Sequence, residues 1–205
     1  MEEIAPDLKL LPGRPRHGFN VYLMGDVLID AGTRLARGRI LKALAGAPPA
    51  AHALTHANAD HQGASHAVCE ALGIPLWVGS ADADAMESGD LSPLIPLNPI
   101  TRWQLRRWAG PAHPVARRLS EGDDVAGFSV IQTPGHSPGH LAFWRESDRT
   151  LLAGDVMFGR HPVTGRPGLH EPPKTFTPDP AGNREAIRRL ATLEPAVVCF
   201  GHGPP

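Results

Sequence analysis

The chain of 205 residues is poor in cysteine, with two, and in aromatic side chains, which make up 5% of it. Cys69 and Cys199 lie far apart in apolar stretches and form no C-x-x-C pair. That pattern excludes a disulfide scaffold and a thiolate zinc finger, and both are expected to be buried free thiols. Neither sign of charge dominates: 20 Lys and Arg stand against 21 Asp and Glu, for a formal net charge of -1. Without a basic run there is no electrostatic footprint for a phosphate backbone or an anionic bilayer, so neither nucleic acid nor membrane is an expected partner. No apolar run approaches the roughly 18–20 residues that span a bilayer. The first residues, MEEIAPDLKLLPG, lack the charged-then-apolar pattern of a signal peptide, and the expected location is cytoplasmic. What the sequence has in excess is histidine, eleven in all.

With 41% hydrophobic residues the chain can build a core, and its length suits one domain over residues 1–205. Strand-like runs at Asn20–Met24 and Val27–Asp30 flank Gly25-Asp26, a hairpin signal. Leu35, Ala36, Ile40, Leu41 and Leu44 recur at helical spacing after Thr33, an N-cap candidate. A strand is expected at Ala51–Thr55, a helix from Gly63 to Gly73 and a strand at Ile74–Val78. Residues 81–118 are broken by five prolines and are expected to form an irregular, partly helical excursion. Two roles fit it equally: a packing segment anchored by Trp103 and Trp108, or a lid or substrate wall. The second half is strand-rich, at Val125–Gln132, Leu141–Trp144, Thr150–Ala153 and Ala196–Phe200. A proline-rich loop at 162–178 precedes a last helix that Asp179-Pro180 would start.

The chemistry sits where those runs end. THANADH, TPGH, AGD and GHG each follow an apolar strand-like run, so each is placed at a strand end, where the four could converge. They supply His56, Asp60, His61, His136, Asp155 and His202. Neutral imidazoles and carboxylates are the ligand set of zinc and of other first-row divalent ions, iron and manganese among them. The glycines beside them, Gly135, Gly154 and Gly201, allow tight backbone geometry there. A lone histidine near a strand end is more often structural than ligating, and His17, His52, His66, His113 and His170 are read that way. A metal-activated water at such a cluster would need no protein nucleophile, which agrees with the absence of a G-x-S-x-G elbow.

In this order, the four elements resemble the metallo-β-lactamase-fold superfamily over almost the whole chain. TPGHSPGH followed by LLAGDVMF is most similar to its glyoxalase-II-like and general hydrolase branches. The resemblance implies an α/β fold: a four-layer αβ/βα sandwich of two mixed β-sheets flanked by helices, with metals at one edge. It implies one metal position at His56, the motif's second histidine and His136, another at Asp60, His61 and His202, and Asp155 bridging the two. His140, the second histidine of TPGHSPGH, then becomes a hydrogen-bonding support. The implied activity is metal-dependent hydrolysis of a small ester, thioester or lactone, with zinc as the ion and Asp60 as the catalytic carboxylate. Iron-dependent oxidation of the sulfur dioxygenase type and a non-catalytic binding module of the same fold are the alternatives. A homodimer is compatible with the resemblance.

The sequence departs from the family at Asn58, which stands where the second histidine of H-x-H-x-D-H belongs. An amide oxygen is a weaker zinc ligand than imidazole. The expectation is an asymmetric centre, with the Asp60/His61/His202 position tight and the His56/His136 position weak. Basic groups after Asp155, namely Arg160, His161, Arg166 and Lys174, either meet an acidic substrate group or are ordinary surface charges.

Overall fold

The computed structural model describes residues 1–205. Its first sheet has seven strands in chain order: β1 (Glu2–Ala5), β2 (Leu8–Leu11), β3 (Val21–Met24), β4 (Val27–Ile29), β5 (Ala51–Ala53), β6 (Leu76–Gly79) and β7 (Arg117–Leu119). β1 to β4 pair antiparallel and β4 to β7 parallel. The change falls where tight hairpins give way to helical crossovers, because parallel neighbours need a long connection. α1 (Arg37–Leu44) and α2 (Ser65–Leu72) supply the first two crossovers.

Five strands form the second sheet: β8 (Asp124–Val125), β9 (Phe128–Gln132), β10 (Leu141–Arg145), β11 (Thr150–Gly154) and β14 (Val197–Phe200), in the order β14-β11-β10-β9-β8. Only β11 and β14 run parallel, joined through α5 (Pro180–Ala191). A small hairpin of β12 (Phe158–Arg160) and β13 (Pro167–His170) stands apart.

The sheets face each other across one apolar layer, in which Leu10, Tyr22, Met24 and Ile29 of the first meet Phe128, Phe143, Leu152 and Cys199 of the second. Ile40, Leu44 and Val68 cover the outer face of the first sheet, and Ala186 and Leu190 that of the second. The result is the four-layer mixed α/β sandwich. Both cysteines are free and buried, and burial pushes each thiol up to about 12. No helix is long and apolar enough to cross a membrane.

Several local expectations need correction. The run Val125–Gln132 is two strands, because Ala126 and Gly127 both take positive φ and fold it into a hairpin. The acidic N-terminus forms the β1/β2 hairpin, with Leu8 and Leu10 fully buried on alternate positions. Part of the 162–178 loop is strand β13. The 81–118 excursion carries two helices, α3 (Ala83–Ser88) and α4 (Pro99–Trp108), the latter started by an Asn98/Thr101 capping box. Asp179 caps α5 as expected, accepting from the amides of Ala181 and Gly182.

Candidate metal centre

The four motifs do converge. The loops after β5, β9, β11 and β14 bring His56, His136 and Asp155 into one group, and Asp60, His61 and His202 into another. Asp155 is the hub: its Oδ2 lies 3.0, 3.3 and 3.5 Å from the Nε2 atoms of His202, His61 and His136. His202 Nε2 also lies 3.4 Å from Asp60 Oδ2.

Each imidazole is aimed by the contact its other nitrogen makes. His61 Nδ1 donates to Asp30 Oδ2 at 2.9 Å. Thr55 Oγ1 gives its proton to the same carboxylate, at 2.9 Å, so its oxygen is left to accept from His56 Nδ1 at 3.0 Å. Likewise Thr177 Oγ1 donates to the Pro173 carbonyl and accepts from His136 Nδ1, while His202 Nδ1 donates to the Gly18 carbonyl. Four Nε2 atoms therefore face inward. The donor set fits a divalent ion, since His56 Nε2 and Asp155 Oδ1 are buried there without a hydrogen-bond partner. Leaving such groups unmet costs about 1–3 kcal/mol each, a cost that a cation removes.

Charge is divided unevenly. Burial would raise the Asp155 carboxyl, but His202 and His61 outweigh it and hold it well below the usual carboxylate range. Burial opposes charge on His202 too, yet Asp155 and Asp60 bring it up to about 10. His61 is raised for the same reason, by Asp155 and Asp30 against its burial. By contrast burial lowers His56 and His136, the latter to about 4, and keeps both neutral. The Asp60/His61/His202 side thus carries the field that attracts positive charge. On the other side the Asn58 Nδ2 amide sits 3.1 Å from His136 Nε2, and the Asn58 Oδ1 is buried without a partner.

Two carboxylates that hold the loops had no role assigned from the sequence. Asp30 stands at the end of β4 in a left-handed conformation, φ 60°, and also accepts from the Thr55 amide at 2.8 Å. Asp82 accepts from the Ala57 and Gly139 amides and the Ser137 hydroxyl, tying the His56 loop to the His136 loop. His140 accepts from the Asp155 amide at 3.0 Å and meets Thr133 Oγ1 with its other nitrogen, the supporting place expected for it. His52 is structural, bonded to the Leu28 carbonyl and the Ser65 hydroxyl. Space is limiting at Gly201, where a Cβ would strike Asp155 Oδ1 and the His61 ring.

A cavity of about 320 Å³ opens onto Asp60, Asp155, His136 and His202. Its apolar wall includes Phe19, Ile95, Trp108 and Phe158, and its polar groups include His17, Gln104 and Arg160. Of the two tryptophans only Trp108 reaches it, edge-on to Phe19 at 5.3 Å, while Trp103 is about half exposed. His17, read as structural, is part of this wall. His161 caps a turn instead, accepting from the Val163 and Thr164 amides, and Arg166 and Lys174 are exposed outside the cavity.

A four-layer sandwich with a histidine-carboxylate cluster at one edge defines a class of metalloproteins, and sequence comparison agrees. The family model described as "Metallo-beta-lactamase superfamily" matches residues 17–202, and the chain belongs to that superfamily. It is 31% identical to "Probable metallo-hydrolase YflN" of Bacillus subtilis over 95% of this chain and 78% of the relative. The "Hydroxyacylglutathione hydrolase GloC" of Haemophilus influenzae is 28% identical over 51% of this chain and 48% of its own length. Among solved structures, TTHA1623 in a di-iron-bound form superposes with a TM-score of 0.64 at 31% identity, covering 98% of this chain and 90% of that one.

Two outcomes follow from this geometry. Replacing Asp30→Asn frees the imidazole of His61 and the hydroxyl that aims His56, and is expected to weaken metal affinity about 10–100-fold. Equilibrium titration of the chelator-stripped protein checks it, and unchanged affinity in a folded variant contradicts it. Because His61 and His202 hold protons when no metal is bound, ion uptake at pH 7 should release protons, and affinity should fall as the pH is lowered. Calorimetry in buffers of different ionisation enthalpy reads that release directly; a buffer-independent heat speaks against it.

Proposed function

We propose that the chain is a metal-dependent hydrolase of a small ester, thioester or lactone. The observation that carries this reading is the set of three Nε2 atoms, of His61, His136 and His202, around Asp155, with His136, His202 and Asp155 lining a cavity of about 320 Å³. That size lies at the lower end for small-molecule pockets and suits a compact acyl substrate. The name of the hydroxyacylglutathione hydrolase relative adds support for a thioester, and those of the probable metallo-hydrolases for hydrolysis in general.

When bound, a divalent metal lowers the pKa of a water and polarises the scissile carbonyl. His61, His202, Asp60 and Asp155 would hold it at one position, and His56 and His136 with a share of Asp155 at the other. Asp60 both binds and acts: partly exposed on the cavity wall, its carboxylate accepts the proton of the attacking water and orients the remaining lone pair toward the carbonyl. The carboxyl stays ionised for this task, since the His202 contact outweighs its burial and lowers it. Trp108, Phe19 and Phe158 exclude water around the acyl group, and Arg160 presents a cation to an acidic substituent.

Zinc is the ion proposed, with iron next because of the di-iron relative. Asn58 makes the centre asymmetric. Its amide replaces a donor beside His136, whereas the other position keeps Asp60, His61 and His202 with the larger share of negative charge. Iron-dependent oxidation draws on the first position, which Asn58 weakens, so hydrolysis is preferred.

A panel of lactones, thioesters, phosphodiesters and β-lactams, run on metal-loaded protein and on Asp60→Ala, tests the reaction. Turnover of an ester-type substrate that drops by about 10²-fold or more in Asp60→Ala is expected. Silence on every member, or an undiminished variant, contradicts the reading. Metal analysis should give clearly fewer than two tight ions per chain at this centre, and more in Asn58→His; two equally tight ions in the unmodified centre would argue against the asymmetry.

A further inference from the structure

A third group of donors lies away from this centre. His66 and Glu70 are four residues apart in α2 and so share a face of the helix, and His113 comes from the limb that returns from α4 to β7. His66 Nδ1 and His113 Nδ1 face each other at 3.3 Å, and Glu70 Oε1 is 3.9 Å from His113 Nδ1. All three donor atoms lie within 4.8 Å of one another.

These spacings match a metal tripod. Two nitrogens bonded to zinc at 2.0–2.1 Å with a tetrahedral angle stand about 3.3 Å apart. The imidazole pair already has that separation. Glu70 Oε1, 3.9 Å from His113 Nδ1 and within 4.8 Å of the His66 donor, has to close by up to about 1.5 Å to reach that spacing, and its side chain is 66% exposed. His113 is 8% exposed and comes from a different segment of the chain, between α4 and β7. Burial, and then the neighbouring His66, lower its pKa below the usual histidine value.

The surrounding backbone gives the site a purpose. Gly63 and Gly110 pack so closely that a Cβ on Gly63 would strike the Trp108 carbonyl, and one on Gly110 the Gly63 carbonyl. The return limb therefore lies directly on the segment that follows Asp60 and His61. Just before it comes Trp108, a wall of the catalytic cavity.

We propose that His66, Glu70 and His113 form a separate site for a zinc-like divalent cation, which ties the end of the 81–118 excursion to α2. Two imidazoles and one carboxylate make three bonds, and water takes the fourth. The inference stands independently of the hydrolase reading, because none of the three residues belongs to the catalytic cluster.

The test is Zn²⁺ titration of the chelator-stripped full chain and of His66→Ala, a partly buried position outside the catalytic cluster, with circular dichroism of both to verify the fold. Bound metal is counted per chain, and amide exchange is followed across residues 109–116. The unmodified protein is expected to take up one more ion than His66→Ala, and zinc is expected to slow exchange across that limb only when His66 is present. Glu70→Gln should lose the same ion without touching the buried histidine. Equal ion counts in the unmodified protein and His66→Ala, with the same exchange at 109–116, would overturn the proposal.

Discussion

The carboxylate of Asp30 is the contact on which the candidate centre depends. It is 1% exposed and takes hydrogen bonds from the Thr55 amide, the Thr55 hydroxyl and His61 Nδ1. Through the hydroxyl it also sets which nitrogen of His56 is left free. One buried charge thus orients two imidazoles from different turns of a loop. A buried carboxylate is costly unless its oxygens are fully used, and here the compensation is the same set of bonds that aims the ligands. Position follows from chain direction: β4 ends beside β5, and Asp30 in its left-handed conformation turns toward the loop that leaves β5.

From that contact outward the centre is a matter of charge distribution. Asp155 sits at the junction of the two sheets' loops, close to three imidazoles at once, and His140 fixes its backbone from behind. Asp60 adds negative charge on one side only, while on the other Asn58 offers an amide. Asn58 and Asp60, two residues apart in THANADH, thus place an amide and a carboxylate on different sides of Asp155. The cavity above is lined by the aromatic rings of Phe19, Trp108 and Phe158 together with Arg160 and His17.

Much of this was legible in the sequence because strand ends are legible. THANADH, TPGH, AGD and GHG each follow an apolar run, and the structure gathers their side chains as that placement suggests. The four layers came from family resemblance, since helix and strand periodicity cannot say which sheet a strand joins. Asp30 had a usable signal, a carboxylate closing the apolar run Val27–Ile29 just before Ala31-Gly32. Asp82 had none: nothing local separates it from Asp84 two residues on, and only the fold buries the one and exposes the other. His17, Trp108 and Arg160 meet over the cavity from segments far apart in the chain, a convergence that no local pattern encodes. The β12/β13 hairpin was hidden by Pro162 and Pro167 in the same way that prolines ordinarily mask short strands.

Buried contacts aim the histidines into the space beside Asp155, where a cation is proposed to sit. Crystals of the metal-loaded protein, measured across the absorption edge of the ion, address it most directly. An anomalous peak held by Asp60, His61, His202 and Asp155, with metal–ligand distances of about 2.0–2.2 Å, is expected. A metal-replete crystal with no peak among those four side chains would contradict it.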